Sequence, residues 1–189
     1  YQKVSNDTFL KVFDSNIQAD KIKPQNFDIL NSEIKLTLDH KNYLFDAGIQ
    51  VYEDLRKKSS DRYQYILPYY NFNKTLSNNF FGGTVDLSSN GNNDLNNTNE
   101  LKSKVINNLV YNSPDFITKS GLRNDFNINF KNLNSLGKNN SEYKSSPQIE
   151  LMSMINFNST LPMTKKHANY KNYLTPKISL KINPHDMKN

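Results

Sequence analysis

The residues that could do chemistry in this sequence are few and scattered. The three histidines, His40, His167 and His185, fall in predicted turns and loops, far apart along the chain. No His-x-x-x-His pair could hold a metal, no Gly-x-Ser-x-Gly turn could present a nucleophile, and no glycine-rich loop could hold a phosphate. The stretch from Asn90 to Glu100 superficially resembles a calcium loop, but its acidic positions and its glycine are misplaced. The sequence therefore predicts a protein that is not an enzyme and that has no metal or cofactor of its own.

Composition excludes several further classes of protein. The 189 residues include no cysteine, which excludes disulfide scaffolds, cysteine-ligated zinc and thiol nucleophiles. No apolar run reaches the roughly 18 residues that a membrane-spanning helix needs. The net charge of +6 suits acidic partners, but the lysines are scattered and no nucleic-acid-binding signature occurs, so no nucleic acid partner is predicted. Because the chain starts at Tyr1 without a leader, we expect a fragment or a processed product.

The secondary-structure elements that carry these residues must be strands, because apolar residues recur with a period of two and helical periodicity is nearly absent. Two alternating runs flank a short turn at 39–42 and predict a β-hairpin. The Asn-rich stretch 88–99 is predicted to be a loop from its composition, as are 134–147 and 159–171. A further candidate strand, with poor alternation, runs from Phe9 to Ile17. The predicted strands cover 33–39, 43–51, 62–74, 80–87, 100–111, 116–132, 148–158 and 172–182.

The clearest strands have one apolar and one polar face, which defines two sets of candidate site residues. The apolar set contains Leu122, Phe126, Ile128 and Phe130 in one strand, and Ile178, Leu180 and Ile182 in the last strand. The polar set contains Arg123, Asp125, Asn127, Asn129 and Lys131 in the first of these strands, and Lys177, Ser179 and Lys181 in the last.

Two all-β architectures give this pattern. In a soluble β-sandwich the apolar faces form the core, whereas in an outer-membrane barrel they contact lipid and the polar faces line a wet lumen. Most predicted strands are about as long as a tilted membrane-spanning strand, roughly 9–11 residues. Aromatic residues also gather near strand ends, as in interfacial girdles. These features favour a transmembrane antiparallel β-barrel wall of about eight strands, with the apolar set facing lipid and the polar set facing the lumen.

Two prolines, Pro68 and Pro176, fall inside predicted strands. Proline lacks the N–H that a strand donates to its neighbour, so it belongs at an edge, a bulge or a strand end. A bulge or a strand end is therefore expected at both positions. The alternative is that the prolines weaken strand pairing and make the wall compliant.

Basic residues on the polar face, Arg123, Lys131, Lys177 and Lys181, have two interpretations. They could make the lumen mildly positive and attract the phosphates of lipid headgroups through long-range charge. Alternatively, they are solvated side chains paired with acids such as Asp125. The residues themselves leave both interpretations open.

Five segments resemble a known family. Val4–Asp14 resembles the start of the barrel domain in the lipopolysaccharide-assembly outer-membrane protein family, LptD (OstA/Imp). Val51–Leu55 and Asp61–Phe72, which contains Ile-Leu-Pro-Tyr-Tyr, resemble the next strands of that family. Ser146–Leu151 and Tyr173–Pro184 resemble its later strands that carry proline before a hydrophobic residue.

The resemblance implies a location and a set of partners. It implies a fragment of a lipopolysaccharide transport barrel in the outer membrane of a Gram-negative bacterium, without the family's N-terminal periplasmic jelly roll and without the remaining strands. The expected partners are lipopolysaccharide, an LptE-like outer-membrane lipoprotein plug and an LptA-like periplasmic bridge. The alternatives are a soluble or surface β-sandwich that acts as an adhesin or glycan-binding module, a porin-like channel, or an outer-membrane hydrolase.

Overall fold

The computed structural model describes residues 1–12, 27–77 and 82–184. A short helix, α1 (Phe9–Val12), precedes the strands, and a 3₁₀ turn covers Ser59–Arg62. The strands are β1 (Ile29–His40), β2 (Tyr43–Asp54), β3 (Tyr63–Ser77), β4 (Thr84–Asn96), β5 (Glu100–Asn112), β6 (Phe116–Ile117), β7 (Arg123–Lys138), β8 (Gln148–Thr160), β9 (Met163–Lys166), β10 (Lys171–Leu174) and β11 (Lys177–Ile182).

Nearly all strands belong to one antiparallel sheet. Its order is β1-β2-β3-β4-β5-β7-β8-β11, and the short β6 pairs with the start of β7. The prediction of an all-β antiparallel sheet of about eight strands is therefore confirmed. Within the described ranges the sheet is open rather than a closed barrel, because β1 and β11 form its two edges.

The Asn-rich stretch 88–99 was predicted to be a loop, and this prediction is wrong. Strand β4 runs through it to Asn96, and the chain reverses only at 97–99. Asn97 and Thr98 adopt positive φ angles of 51° and 59°, a conformation that asparagine tolerates better than most residues. Composition misled because several of these polar residues form hydrogen bonds with neighbouring strands: Ser88 and Ser89 with β5, and Asp94 with β3.

Three other boundaries also differ from the prediction. The predicted strand 116–132 contains a turn at 118–122, where Gly121 has a φ angle of 85°, and its continuation β7 extends to Lys138 in the predicted loop 134–147. The predicted loop 159–171 contains β9. Of the candidate strand from Phe9 to Ile17, residues 9–12 are helical, and the rest lies outside the described residues.

Both predicted proline positions are interruptions of strands. Pro68 follows a cis peptide bond and lies where β3 has one residue more than either β2 or β4, so it occupies a bulge. Pro176 separates β10 from β11, and Pro162 separates β8 from β9. The pairing Thr160–Lys177 continues in the same register to Met163–Leu174, so these four strands form one long hairpin that is interrupted at its two prolines.

The sheet has almost no core. Among the described residues, the buried apolar ones are Leu10, Leu30 and Leu55, and they form a small cluster where α1 meets the start of β1 and the end of β2. Arg62 fixes this corner, because its guanidinium bonds to Glu53 Oε1 at 2.6 Å and to Asp7 Oδ1 at 2.7 Å. Elsewhere in the described ranges, no second sheet packs against either face.

Candidate functional site

The register defines two faces of very different chemistry. Residues that pair across neighbouring strands share a face, and side chains alternate along each strand. We call the face that carries Leu36, Phe45, Phe72 and Ile128 the apolar face, and the opposite one the polar face.

The polar face is crossed by a continuous chain of side-chain hydrogen bonds. Thr75 donates to Asp86 at 2.7 Å, and the amide of Asn112 donates to the other oxygen of Asp86 at 3.3 Å. The amide of Asn127 donates to Asn112 at 2.6 Å, and that of Asn156 donates to Asn127 at 3.4 Å. The chain links β3, β4, β5, β7 and β8, so the polar groups of this face stabilise one another without needing a covering layer.

The predicted lumen-facing residues share this polar face. Asp125 accepts a hydrogen bond of 2.7 Å from Asn158, whose own oxygen accepts one of 2.8 Å from Ser179. Arg123 forms an ion pair with Asp115 rather than with Asp125. The remaining residues of the set, Asn129, Lys131, Lys177 and Lys181, lie on the same face by register. Whether this face lines a lumen stays a prediction.

The predicted lipid-facing residues share the apolar face, although they come from strands far apart in sequence. Phe126 and Leu180 both lie opposite Phe157, and Ile128 and Ile182 both lie opposite Ile155. Phe130 and Ile178 follow on the same face, while Leu122 lies in the turn before β7. Phe130 is 52% exposed and Leu180 is 54% exposed. Phe126 and Ile128 are partly buried.

A ladder of polar side chains crosses the apolar face, which also carries Lys74 and Ser153, and the sequence did not predict this ladder. The hydroxyls of Tyr70 and Ser89 bond at 3.1 Å, and Ser89 donates to Asn107 at 2.7 Å. Asn107 donates to Asn132 at 3.0 Å, and Asn134 donates to the same oxygen at 2.6 Å. We call these five residues the amide ladder. Because the composition around Ser89 predicts a loop, the sequence does not indicate that this serine pairs with neighbouring strands.

A groove of about 670 Å³ lies along the amide ladder. It is lined by short polar side chains such as those of Ser89 and Asn107, and by large apolar ones such as those of Phe72, Leu109 and Phe130.

Two of the three histidines lie in the described residues, and each stacks on a tyrosine ring. His40 stacks on Tyr43 with ring centres 5.0 Å apart, and His167 stacks on Tyr170 at 4.4 Å. His185 lies outside the described residues. In the described part of the chain, no group of three or more His, Asp or Glu residues could hold a metal ion. No described helix has the length and apolarity required to cross a membrane.

Arg62 creates the clearest electrostatic perturbation outside the sheet. Its hydrogen bond to Asp7 holds the pKa of that carboxyl below its ordinary value, and the guanidinium's own pKa is raised mainly by the same contact. Together with the bond to Glu53, this cation ties the N-terminal segment to the connection between β2 and β3.

No family model matches the chain, and no curated protein matches it. The resemblance to the lipopolysaccharide-assembly barrel therefore stays a prediction from the residues quoted above.

Proposed function

We propose that this sheet is part of the wall of a transmembrane antiparallel β-barrel in the outer membrane of a Gram-negative bacterium. The observation that carries the proposal is the uncovered apolar face. Its side chains, such as Leu36 (57% exposed) and Ile178 (73% exposed), pack against no second layer in the described ranges. An exposed apolar surface of this extent requires an apolar environment, and the hydrocarbon of a bilayer supplies one.

The polar face supports the same proposal. A barrel interior tolerates rows of amides and charges because water and cross-strand hydrogen bonds satisfy them. The chain of bonds from Thr75 to Asn156 is such a row. The sandwich alternative would need a second sheet to cover the apolar face, and the described residues contain none.

Refolding tests the membrane proposal directly. In detergent micelles or lipid vesicles, we expect the protein to be monodisperse and rich in β-structure by circular dichroism. In buffer alone, we expect it to aggregate, because two unpaired edges and the apolar face are exposed. A soluble monomer that unfolds cooperatively in plain buffer contradicts the proposal and favours the sandwich.

For the transported molecule we propose lipopolysaccharide, delivered from an LptA-like periplasmic bridge and assembled with an LptE-like lipoprotein. The support is the resemblance of the five segments quoted above. A second support is the basic character of the polar face, where Lys131, Lys177 and Lys181 form no ion pair with a described residue. These cations provide a positive surface for the phosphates of the lipid headgroup.

A photo-crosslinker on the polar face tests the cargo. We place benzoylphenylalanine at Asn129 in living cells and look for adducts that bind an antibody against lipopolysaccharide. We expect adducts that disappear when cellular energy is depleted. A folded membrane protein that gives no such adduct, or gives it equally without energy, overturns the cargo proposal and favours the porin-like channel.

A further inference from the structure

Rows of paired residues that run across the strands define positions on the apolar face of the sheet. A row is the set of residues that lie opposite one another on successive strands. The row that starts at Leu36 in β1 reaches β7 at Asn134 and β8 at Ile149. Its members are Leu36, Ala47, Tyr70, Gly91, Val105, Asn134 and Ile149.

The centre of the apolar residues on each strand does not follow this row. In β1 it lies at Leu36, but in β7 it lies at Ile128, six residues from the row's Asn134. In β11 it lies at Leu180, whose row meets β8 at Phe157, eight residues from Ile149. The apolar band therefore crosses the rows obliquely from β1 to β11, and it is broad on β8, where apolar side chains occur from Ile149 to Phe157.

The size of this drift is the one that a tilted barrel wall requires. Barrel strands tilt by roughly 35–45° from the barrel axis, and neighbouring strands lie about 4.8 Å apart with a rise of about 3.3 Å per residue. A plane perpendicular to the axis then shifts by about 1 to 1.5 residues at each strand step. Over the seven steps from β1 to β11 the shift is about 7 to 10 residues. This range contains the eight-residue separation of Ile149 and Phe157 on β8.

The direction of the drift also agrees with the tilt of the strands in a barrel wall. Asp28 accepts from Leu55 N–H at 2.8 Å, whereas Asn31 donates its N–H away from the sheet to Gln2 at 2.8 Å. The even-numbered residues of β1, which carry apolar-face side chains, are thus the ones that bond to β2. For L-residues this places β2 to the right of an upward-running β1 when the apolar face is viewed.

In that view, with the strands drawn vertically, the apolar band rises to the right. When the sheet is turned until the band is horizontal, the top of each strand leans to the right. This is a right-handed coil about an axis on the polar side of the sheet. Right-handed coiling is the hand that the twist of β-strands imposes. The apolar face is therefore on the outside of the coil, where lipid would lie.

We propose that the lipid-contact surface is an oblique belt that runs through Leu36, Phe72, Leu87, Leu109, Ile128 and Leu180, with bilayer hydrocarbon as its partner. This inference rests on the proposed membrane location and adds the tilt and depth of each strand. The belt and the amide ladder diverge: Tyr70 lies within the belt, and Asn134 lies beyond it. The mutual hydrogen bonds of Ser89, Asn107 and Asn132 satisfy the ladder's polar groups where it crosses the belt.

Single cysteines test the belt, because the chain has no native cysteine. Leu36→Cys and Asn134→Cys lie on one row, while Ile128→Cys and Asn134→Cys lie on one strand and one face. Each carries a nitroxide in the protein reconstituted into phosphatidylcholine vesicles, and collision rates with oxygen and with a water-soluble nickel chelate report depth. Circular dichroism checks that each variant retains its sheet.

We expect deep, oxygen-accessible labels at 36, 128 and 180, and a chelate-accessible label at 134. If 36 and 134 report equal depth while 180 is shallower, the belt follows the rows and the oblique belt is wrong, although the membrane location stands. If every label reports water, the proposed membrane function itself fails.

Discussion

Asn158 in β8 donates a 2.7 Å hydrogen bond to the carboxylate of Asp125, directly opposite in β7. The same asparagine accepts from Ser179 in β11, so one amide joins three strands on the polar face. A single side chain thus links the edge strand to the body of the sheet.

Replacing this asparagine tests the linkage. We expect Asn158→Ala to lower the free energy of unfolding by about 1–2 kcal/mol, because a hydrogen bond to a charged acceptor is lost and Asp125 keeps only water. Urea unfolding in detergent micelles, followed by circular dichroism, measures the change. Adding Ser179→Ala to the Asn158→Ala variant should cost little more, and fully additive effects would contradict a shared contact.

Two glycines allow a matched test of packing. A Cβ at Gly48 would overlap the backbone oxygen of Ile34, whereas a Cβ at Gly91 would meet the Tyr70 ring at 2.5 Å. Because backbone cannot move aside as a ring can, we expect Gly48→Ala to destabilise more than Gly91→Ala, each within about 1–3 kcal/mol. The same unfolding assay compares the two variants. Tyr70→Leu should relieve Gly91→Ala, and equal costs in both Tyr70 backgrounds would contradict the assigned contact.

The interrupted hairpin makes a prediction about the prolines. Leu161 N–H donates to Pro176 C=O at 3.1 Å, so residue 176 occupies a bonded position of the ladder, and a new N–H there would point at Leu161. We expect Pro176→Ala to join β10 to β11 and slow amide exchange at 175–178. Pro162→Ala is the control, because residue 162 occupies the neighbouring, non-bonded position. Equal protection in both variants would show that the register assigned here is wrong.

The contact between Asp7 and Arg62 predicts a pH dependence. The pKa of Asp7 is lowered in the folded state, mainly by its hydrogen bond to Arg62. The contact therefore stabilises the folded state above the ordinary pKa of aspartate, and this contribution is lost as the pH falls through the lowered value. We expect the N-terminal segment to become more sensitive to an acid-active protease over that range. Asp7→Asn should remove this dependence, and an unchanged pH profile in the variant would contradict it.

A lysine introduced on either face of β7 distinguishes a lipid-facing side from a polar side. We expect Ile128→Lys to cost about 2–4 kcal/mol in lipid vesicles, the range for a cation on the lipid side near the bilayer midplane. Asn129→Lys, one residue along on the polar face, should cost close to nothing. Similar costs for both variants in urea titrations of the vesicle-bound protein would argue against a lipid-facing side of β7.

The sequence predicted the strand faces better than the strand ends. The alternation of Phe126, Ile128 and Phe130 with Asp125, Asn127 and Asn129 depends on the period of the pleat alone, and the register keeps the two sets on opposite faces. The hairpin of β1 and β2 was predicted for the same reason, and the structure extends both strands.

Loop predictions failed where composition replaced periodicity. Ser88 and Ser89 belong to a type that is typical of turns, yet both lie in β4 and bond across strands, Ser88 with Asn108 and Ser89 with Asn107. The amide ladder could not be predicted, because it depends on which residues of β4, β5 and β7 lie opposite one another. That register arises from the whole sheet and from the bulge at Pro68.

The central claim is that the apolar face contacts lipid, and accessibility along six consecutive residues of β7 tests it most directly. Nitroxide labels at single cysteines from 126 to 131 are compared in the protein embedded in outer-membrane vesicles. The proposal predicts lipid contact at 126, 128 and 130, and water contact at 127, 129 and 131. Immobile labels without lipid contact at the even positions would contradict it and would identify a buried protein core.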